Sequence, residues 1–250
     1  MEEQKLINVI GEIGRLLIKY GAEIYRVEES LIRMCQSYGY DNVEVFALPS
    51  YFTLSVLIND NQTYTLSKRS RHNRINLEKI YELNNLVRFA CQNKPAIDYL
   101  QSEIKRINSI KTNYLLVFLG YGIGTGFFAT FFGGGLNETL VAIIIGFILY
   151  FFILLMEYLD INNLVSTLLS SMLLTAIALI AYHLGIVANS QAIIIGCLMI
   201  LTPGVAITNS LRDIMGGDYI SGTARMLEAL LIAAFIAIGT VAAQWFVRGY

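Results

Sequence analysis

The chain is poor in the residues that metal binding and nucleophilic catalysis depend on. Its 250 residues include only two histidines, three cysteines and three prolines. His72 and His183 stand far apart, and no Cys/His cluster has ligand spacing, so no metal site and no cofactor are expected. Ser50, Ser55 and Ser221 lack a recognisable nucleophile elbow, which makes a membrane hydrolase a poor reading. Cys35, Cys91 and Cys197 fall in no redox or ligand spacing and read as unpaired thiols. The start, Met-Glu-Glu-Gln-Lys, has no cationic segment followed by an apolar core, so no signal peptide is expected.

Positive charge is also scarce in one half. Of 18 Lys and Arg, 15 lie at or before Lys111, leaving only Arg212, Arg225 and Arg248 beyond it. Nucleic-acid binding would need a large surface of one sign, whereas residues 1–111 carry 15 basic against 13 acidic groups. Lys68-Arg69-Ser70-Arg71-His72-Asn73-Arg74 is dense enough to attract anionic lipid, although such a run is usually a solvated loop.

What the second half holds instead is hydrocarbon. Overall 55% of residues are hydrophobic and 15% charged, more apolar than an ordinary soluble domain. Apolar runs cover 113–132, 139–156, 162–182, 188–211 and 224–247, each near the roughly 20 residues that cross about 30 Å of hydrocarbon. The expected fold is therefore a membrane protein, with an N-terminal cytoplasmic α+β module (1–112) followed by an α-helical bundle of five transmembrane helices (113–250). Lys105, Arg106 and Lys111 before the first run put the basic half inside by the positive-inside bias. That implies a multi-pass protein of the cell (inner or plasma) membrane. The 133–138 and 183–190 turns are then outside, and 157–163 and 212–225 inside. Arg248 falls outside, against the bias.

Within the module, Leu6, Ile10, Ile13, Leu16 and Leu17 recur at helical spacing, and the pattern resumes at Ile24, Val27, Leu31 and Met34. Gly21 is the break between them, and Gly39 closes the pair. Val43–Ala47, Phe52–Ile58 and Thr63–Leu66, separated by Leu48-Pro49-Ser50 and Asn59-Asp60-Asn61, predict a small antiparallel sheet. Ile75–Cys91 is helical again with Asn76 as its cap, and Pro95 starts a helix leading into the membrane.

Two features of the bundle carry chemistry. Pro203 lies inside an apolar run, where it removes a backbone donor and breaks or kinks the helix. A freed carbonyl in lipid is costly unless protein or water satisfies it, so such breaks persist where they line a cavity. Beside Thr202, Gly204, Thr208, Asn209 and Ser210, the break is either a site for a substrate carboxylate or a simple kink packed on Gly-rich neighbours. The second feature is the cluster Arg212, Asp213, Asp218, Arg225 and Glu228. Arg225 and Glu228 share a helix face at i, i+3, and Arg212 has Asp213 or Asp218 as candidate partners. Glu228, about 9 Å into the last helix, is expected to face the bundle interior or water. Glu228 or Asp213 would couple transport to protons, with Arg212 or Arg225 as counter-ion; the alternative is a paired loop that fixes two helix ends. Gly120, Gly122, Gly124 and Gly126 form small-xxx-small patterns suited to close helix contact. Glu157, Asp160, Asn162 and Asn163 mark an inner helix junction.

Several of these segments resemble one family. Gly21-Ala22-Glu23-Ile24-Tyr25-Arg26-Val27-Glu28-Glu29 and the Asn76-Leu77 helix look like the threonine/serine exporter (ThrE) family. So do Thr202-Pro203-Gly204, Thr208-Asn209, Arg212-Asp213, Gly217-Asp218, Ser221-Gly222, Arg225 and Glu228-Ala229. The resemblance covers nearly the whole chain, in order. It is nearest to the larger subunit of split exporters, whose second, smaller membrane domain is a separate chain. It implies export of threonine or serine, or in some split pairs a dicarboxylate such as succinate. It also implies a small membrane subunit of the same family as partner, a homo-oligomer being the other arrangement. Gly21, Arg26 and Glu28 would be the module's motif residues, although on spacing alone Arg26 and Glu28 read as a charged helix face. A ligand sensor or scaffold anchored in the membrane remains the third class.

Overall fold

The computed structural model describes residues 2–59, 62–70 and 75–248. Asp60 and Asn61 of the expected turn, and Arg71, His72, Asn73 and Arg74 of the basic run, lie outside the described residues. The chain divides into two compact units, one of residues 1–111 with 206–226, the other of 112–205 with 227–250.

The first unit begins with α1 (Glu2–Lys19) and α2 (Ile24–Ser37), followed by β1 (Val43–Leu48), β2 (Tyr51–Asn59) and β3 (Gln62–Arg69). The strands form one antiparallel sheet in the order β1-β2-β3, with Leu48 opposite Tyr51 across a two-residue Pro49-Ser50 turn. Its core is the helical stripe read from sequence: Leu6, Ile10, Ile13, Leu16, Leu17, Ile24, Val27, Leu31 and Met34 are all buried, joined by Ile7. Phe52, Leu54 and Val56, alternate residues of β2, supply the sheet's share. α3 (Leu77–Asn93) starts as expected, with Asn76 Oδ1 accepting the Lys79 N–H at 3.0 Å. α4 (Ile97–Ser109) does not lead into the bundle, contrary to expectation. It stops at Ser109, and α5 (Tyr114–Phe131) starts afresh with Asn113 Oδ1 capping the Leu116 N–H. The sequence reading assigned 206–226 to the bundle; here this segment packs with residues 1–111.

The second unit holds α5, α6 (Leu136–Tyr158), α7 (Asn163–His183) and α8 (Ser190–Leu201). It also takes the start of α9 (Gly204–Met215) and the length of α10 (Tyr219–Arg248) from Leu227 on. Among the described residues four helices, α5, α6, α7 and α10, are long and apolar enough to cross a membrane, and the α8–α9 pair would make a fifth span, bent by 53°. The break falls at Thr202-Pro203. Thr202 ends α8 in an extended conformation, its N–H and hydroxyl both donating to the Leu198 carbonyl at 3.0 Å. The Gly204 N–H then turns back to the Thr202 carbonyl at 2.8 Å.

Two of the α5 glycines are contact points. A Cβ on Gly122 would run into the Phe147 ring and one on Gly126 into Ile143, whereas Gly120 faces open space. A close approach of backbone to backbone is made from α8, where a Cβ on Gly196 would lie 2.5 Å from the Ala129 N of α5. Glu138, left outside the apolar run in the sequence, sits in the first turn of α6. It is buried, and its carboxylate accepts N–H groups from Gly135 (2.9 Å), Ala188 (2.8 Å) and Asn189 (3.1 Å). Neutral glycine pairs and a satisfied carboxylate thus hold α5, α6 and α8 together.

Gly196→Ala should therefore force backbone against backbone and lower stability by about 1–3 kcal/mol. Gly120→Ala should leave it unchanged or raise it by up to about 1 kcal/mol through helix propensity. Thermal melts in detergent distinguish the two, and equal effects would disprove the contact.

Candidate functional site

The densest polar constellation lies within the first unit, at the turn between α1 and α2. α1 ends in a left-handed glycine, Gly21 (φ +84°), with the Gly21 N–H on the Ile18 carbonyl and the Ala22 N–H on the Leu17 carbonyl. This double hydrogen bond reverses the chain, and only glycine takes the conformation without strain. The Ala22 carbonyl and the first N–H groups of α2 are thereby turned away from α1 with no partner in their own helices.

Residues of 206–226 supply those partners. Arg225 donates from Nη2 to the Ala22 carbonyl at 2.8 Å. Asp213 Oδ1 accepts the Ile24 N–H at 3.3 Å, a carboxylate at the positive end of α2. Glu23 precedes α2 in an extended conformation and does not cap it with its side chain. Its carboxylate instead pairs with Arg26 at 2.8 Å and with Arg212. Arg225 Nη1 lies 3.6 Å from Asp213 Oδ2, and that oxygen is buried without a hydrogen bond among the described residues. Asp213 is wholly inaccessible to solvent and the Arg225 side chain is 11% exposed.

One turn along α2, Glu28 accepts the Ala47 N–H at 2.7 Å, and the Ser221 hydroxyl donates to the Ala47 carbonyl at 3.3 Å. Ala47 belongs to β1, an edge strand, so these side chains cover the N–H and C=O of a residue that would otherwise offer an open ladder position. Burial pushes the Glu28 carboxyl above its ordinary range, Asp218 and Asp213 nearby push the same way, and the Ala47 N–H opposes them. α9 and α10 meet because Gly222 leaves room: a Cβ there would lie 2.5 Å from Ile214 and 2.9 Å from the Ser210 carbonyl.

Gly21, Arg26 and Glu28 are thus gathered in the same unit as Arg212, Asp213, Asp218 and Arg225. The partners differ from those read in sequence. Arg212 binds Glu23 rather than Asp213 or Asp218, and the counter-ion of Asp213 is Arg225. Adjacent residues on a helix point about 100° apart, so 212 and 213 cannot share one partner face. Glu23 and Ala47 were missed as site residues; Glu23 was visible only as a member of the Gly21-Ala22-Glu23 motif. Thr208 is exposed and Asn209 half-buried on α9. Thr202, Pro203, Gly204 and Glu228 belong to the other unit. Glu228 is exposed there and makes no hydrogen bond or ion pair among the described residues. No group of three or more His, Cys, Asp or Glu that could hold a metal ion occurs among the described residues.

The arrangement is a lock of charges rather than a pocket. It holds a buried carboxylate between a backbone donor and a guanidinium, with a second acid–arginine pair beside it. A family profile described as "Putative threonine/serine exporter" matches residues 8–246. The chain is similar to pheromone-regulated membrane protein 10 of Pichia sorbitophila, 24% identical over 251 residues. That match takes in 96% of this chain and 24% of the yeast protein, so the chain spans about a quarter of the length of the curated relative it matches. No solved structure matches.

Two substitutions check this site. Arg225→Met strands Asp213 as a buried charge without its cation and should cost about 3–5 kcal/mol in chemical denaturation. The raised Glu28 carboxyl means the folded state favours its protonated form. Its stabilisation is complete below the unfolded carboxylate value and disappears as pH rises through the raised folded value. Glu28→Gln keeps an acceptor for the Ala47 N–H but cannot ionise. It should melt higher than wild type at neutral pH and lose that acid-side dependence; an unaltered pH profile would clear Glu28 of this role.

Proposed function

The chain belongs to the threonine/serine exporter (ThrE) family, and from that premise we propose that it is the larger subunit of a secondary exporter of threonine and serine. In this reading the first unit, with α9 from Ala206 on, is cytoplasmic, α5, α6, α7 and α10 from Leu227 on cross the cell membrane, α8 enters it up to the Pro203 break, and a small membrane subunit of the same family, or a second copy, completes the transporter. The scarcity of Lys and Arg beyond Lys111 supports that orientation. The helix break at Pro203 and the internal polar groups support transport over mere anchoring, which needs neither.

The observation that carries the mechanism is Asp213, a carboxylate sealed from water with one oxygen on Ile24 N–H and the other without a hydrogen bond near Arg225. Protonating it would remove the negative charge beside Arg225 and leave the Arg225 hydrogen bond to the Ala22 carbonyl in place. α10 carries Arg225 and runs on without interruption to Arg248, so loosening its first turns acts on the start of a helix that continues through the bundle. Asp213, rather than the exposed Glu228, is then the proton-responsive carboxylate, and Arg212 with Glu23 is the second clasp.

Vesicles containing this chain, with and without the small subunit, loaded with labelled threonine, serine or succinate, test the reading under an imposed proton gradient. Threonine and serine should leave and succinate should stay. Asp213→Asn, which still accepts the Ile24 N–H, should insert and melt as a folded protein yet lose gradient-driven efflux, while Glu228→Gln keeps it. Unchanged driven efflux from Asp213→Asn would remove Asp213 from coupling. Succinate efflux alone would replace the cargo by a dicarboxylate, and no efflux with either composition would turn the reading towards a sensor or scaffold.

A further inference from the structure

A strand in an antiparallel sheet turns its backbone groups to its two sides alternately, residue by residue. In the β2–β3 pair the phase is set by the Ser70 N–H, which donates to the Ser50 carbonyl at 2.8 Å, one position beyond the Tyr51–Arg69 register pair. Tyr64, Leu66 and Lys68 therefore bond to β2, while Thr63, Thr65 and Ser67 turn their N–H and C=O to the outer edge. The β1–β2 pair obeys the same alternation. There the Leu57 N–H donates to the Asn42 carbonyl at 3.1 Å, which turns Ala47 outward, where Glu28 and Ser221 bind it.

The two edges of the sheet are treated differently. Side chains close β1 at Ala47, but among the described residues no hydrogen bond reaches the N–H or C=O of Thr63, Thr65 or Ser67 at the outer edge of β3. Proteins ordinarily keep such an edge from pairing by shortness, proline, charge or a bulge. β3 runs for eight residues, Gln62–Arg69, without proline and without a charge before Lys68. The one register irregularity, between Leu57 and Asn59 of β2, lies at its Gln62 end. Lys68 turns to the helix side, where Glu12 of α1 holds it at 2.9 Å. From Thr63 to Ser67 the edge is open and uncharged.

We propose that the outer edge of β3 docks β3 of a second copy of this chain, antiparallel about a two-fold axis at Thr65, so that the two three-stranded sheets become one. An interface of this symmetry needs a patch complementary to itself, and β3 is one. At that register Thr65 faces Thr65 of the copy and Thr63 faces the copy's Ser67, all with outward backbone groups, for about six N–H···O=C bonds. Tyr64 then stands beside the copy's Leu66 on the helix side, a close aromatic–aliphatic pair. Lys68 faces the copy's Gln62, so no like charges are opposed. α1 lies over β2 and β3, which sets the α1 helices of the two copies about 10 Å apart, an ordinary packing distance. On the other face the hydroxyl contacts Thr53–Ser67 at 3.3 Å and Ser55–Thr65 at 3.0 Å continue as rows into the copy.

The inference stands apart from the exporter reading, and cross-linking of the full-length chain in membranes tests it without any efflux measurement. Mild oxidation of Thr65→Cys should give a covalent dimer. Ser55→Cys, in the same row but about 14 Å from its counterpart, should give at least about tenfold less. The double variant Thr63→Cys, Ser67→Cys should also cross-link between copies. Adding Thr65→Pro, which removes an outward N–H that β2 does not use, should cut that yield about tenfold while circular dichroism shows a folded chain. Thr65→Lys, which sets two cations face to face and leaves the backbone alone, should do the same. Equal yields from Ser55→Cys and Thr65→Cys, or a yield that neither Thr65→Pro nor Thr65→Lys lowers, overturn the pairing. A Thr65→Cys adduct to a different protein overturns the second copy as the occupant of this edge.

Discussion

Burying a carboxylate costs several kcal/mol even after the protein relaxes around it, unless a cation and hydrogen-bond donors stand in for water. Asp213 meets that demand with groups nearly two hundred residues away in sequence, the Ile24 N–H on one oxygen and, from its own side of the chain, Arg225 near the other. Each partner requires something further. The Ile24 N–H is free because α2 has just begun, and α2 begins there because Gly21 reverses the chain in a conformation that side chains resist. Arg225 reaches inward because α9 and α10 close on each other over Gly222. Asp213 thus explains why residues 206–226 are bound to the N-terminal module at all.

A set of ion pairs is weak as a source of stability, since well-packed apolar groups of equal volume often do as well or better. It is strong as a means of fixing one arrangement, because removing any one member leaves another charge exposed to a poor environment. The same property makes it responsive. A core of Ile and Leu has no variable that a proton can change, whereas the Asp213–Arg225 pair and the half-buried Glu28 have one each. The cluster therefore combines a fixed geometry with a chemical lever, which a connection between two helix ends does not otherwise need.

Much of the first unit's skeleton was legible because it follows local rules. The Leu6 to Leu17 stripe, the Asn76 cap and the Pro49-Ser50 turn are each decided by residues within a few positions. Pro203 was legible for the same reason, a missing donor in an apolar run. Helix limits in the bundle were read less well. α6 begins at Leu136 and α10 at Tyr219, ahead of the apolar runs, because apolarity marks what hydrocarbon tolerates while a helix continues as long as its backbone is satisfied. The pairing of Arg212 with Glu23 was out of reach, since no spacing rule links residues 189 apart. The stop of α4 at Ser109 was equally hidden, as Lys111 and Thr112 permit a continuous helix on propensity alone.

The two units treat buried polar atoms in opposite ways, and the contrast says where flexibility of purpose lies. In the first, most polar atoms in the cluster are matched: Glu28 with the Ala47 N–H, Ser221 with the Ala47 carbonyl, Glu23 with two arginines. In the second, Glu138 is matched three times over at one end of α6, while the Ser170 and Thr175 hydroxyls on α7 have no hydrogen bond among the described residues. Scarcity of donors and acceptors is not the cause, because the hydroxyls lie on a helix whose carbonyls accept from Thr167 and Ser171 on the same face. A hydroxyl without a hydrogen bond gains from any polar group brought to it, since no existing bond has to be given up.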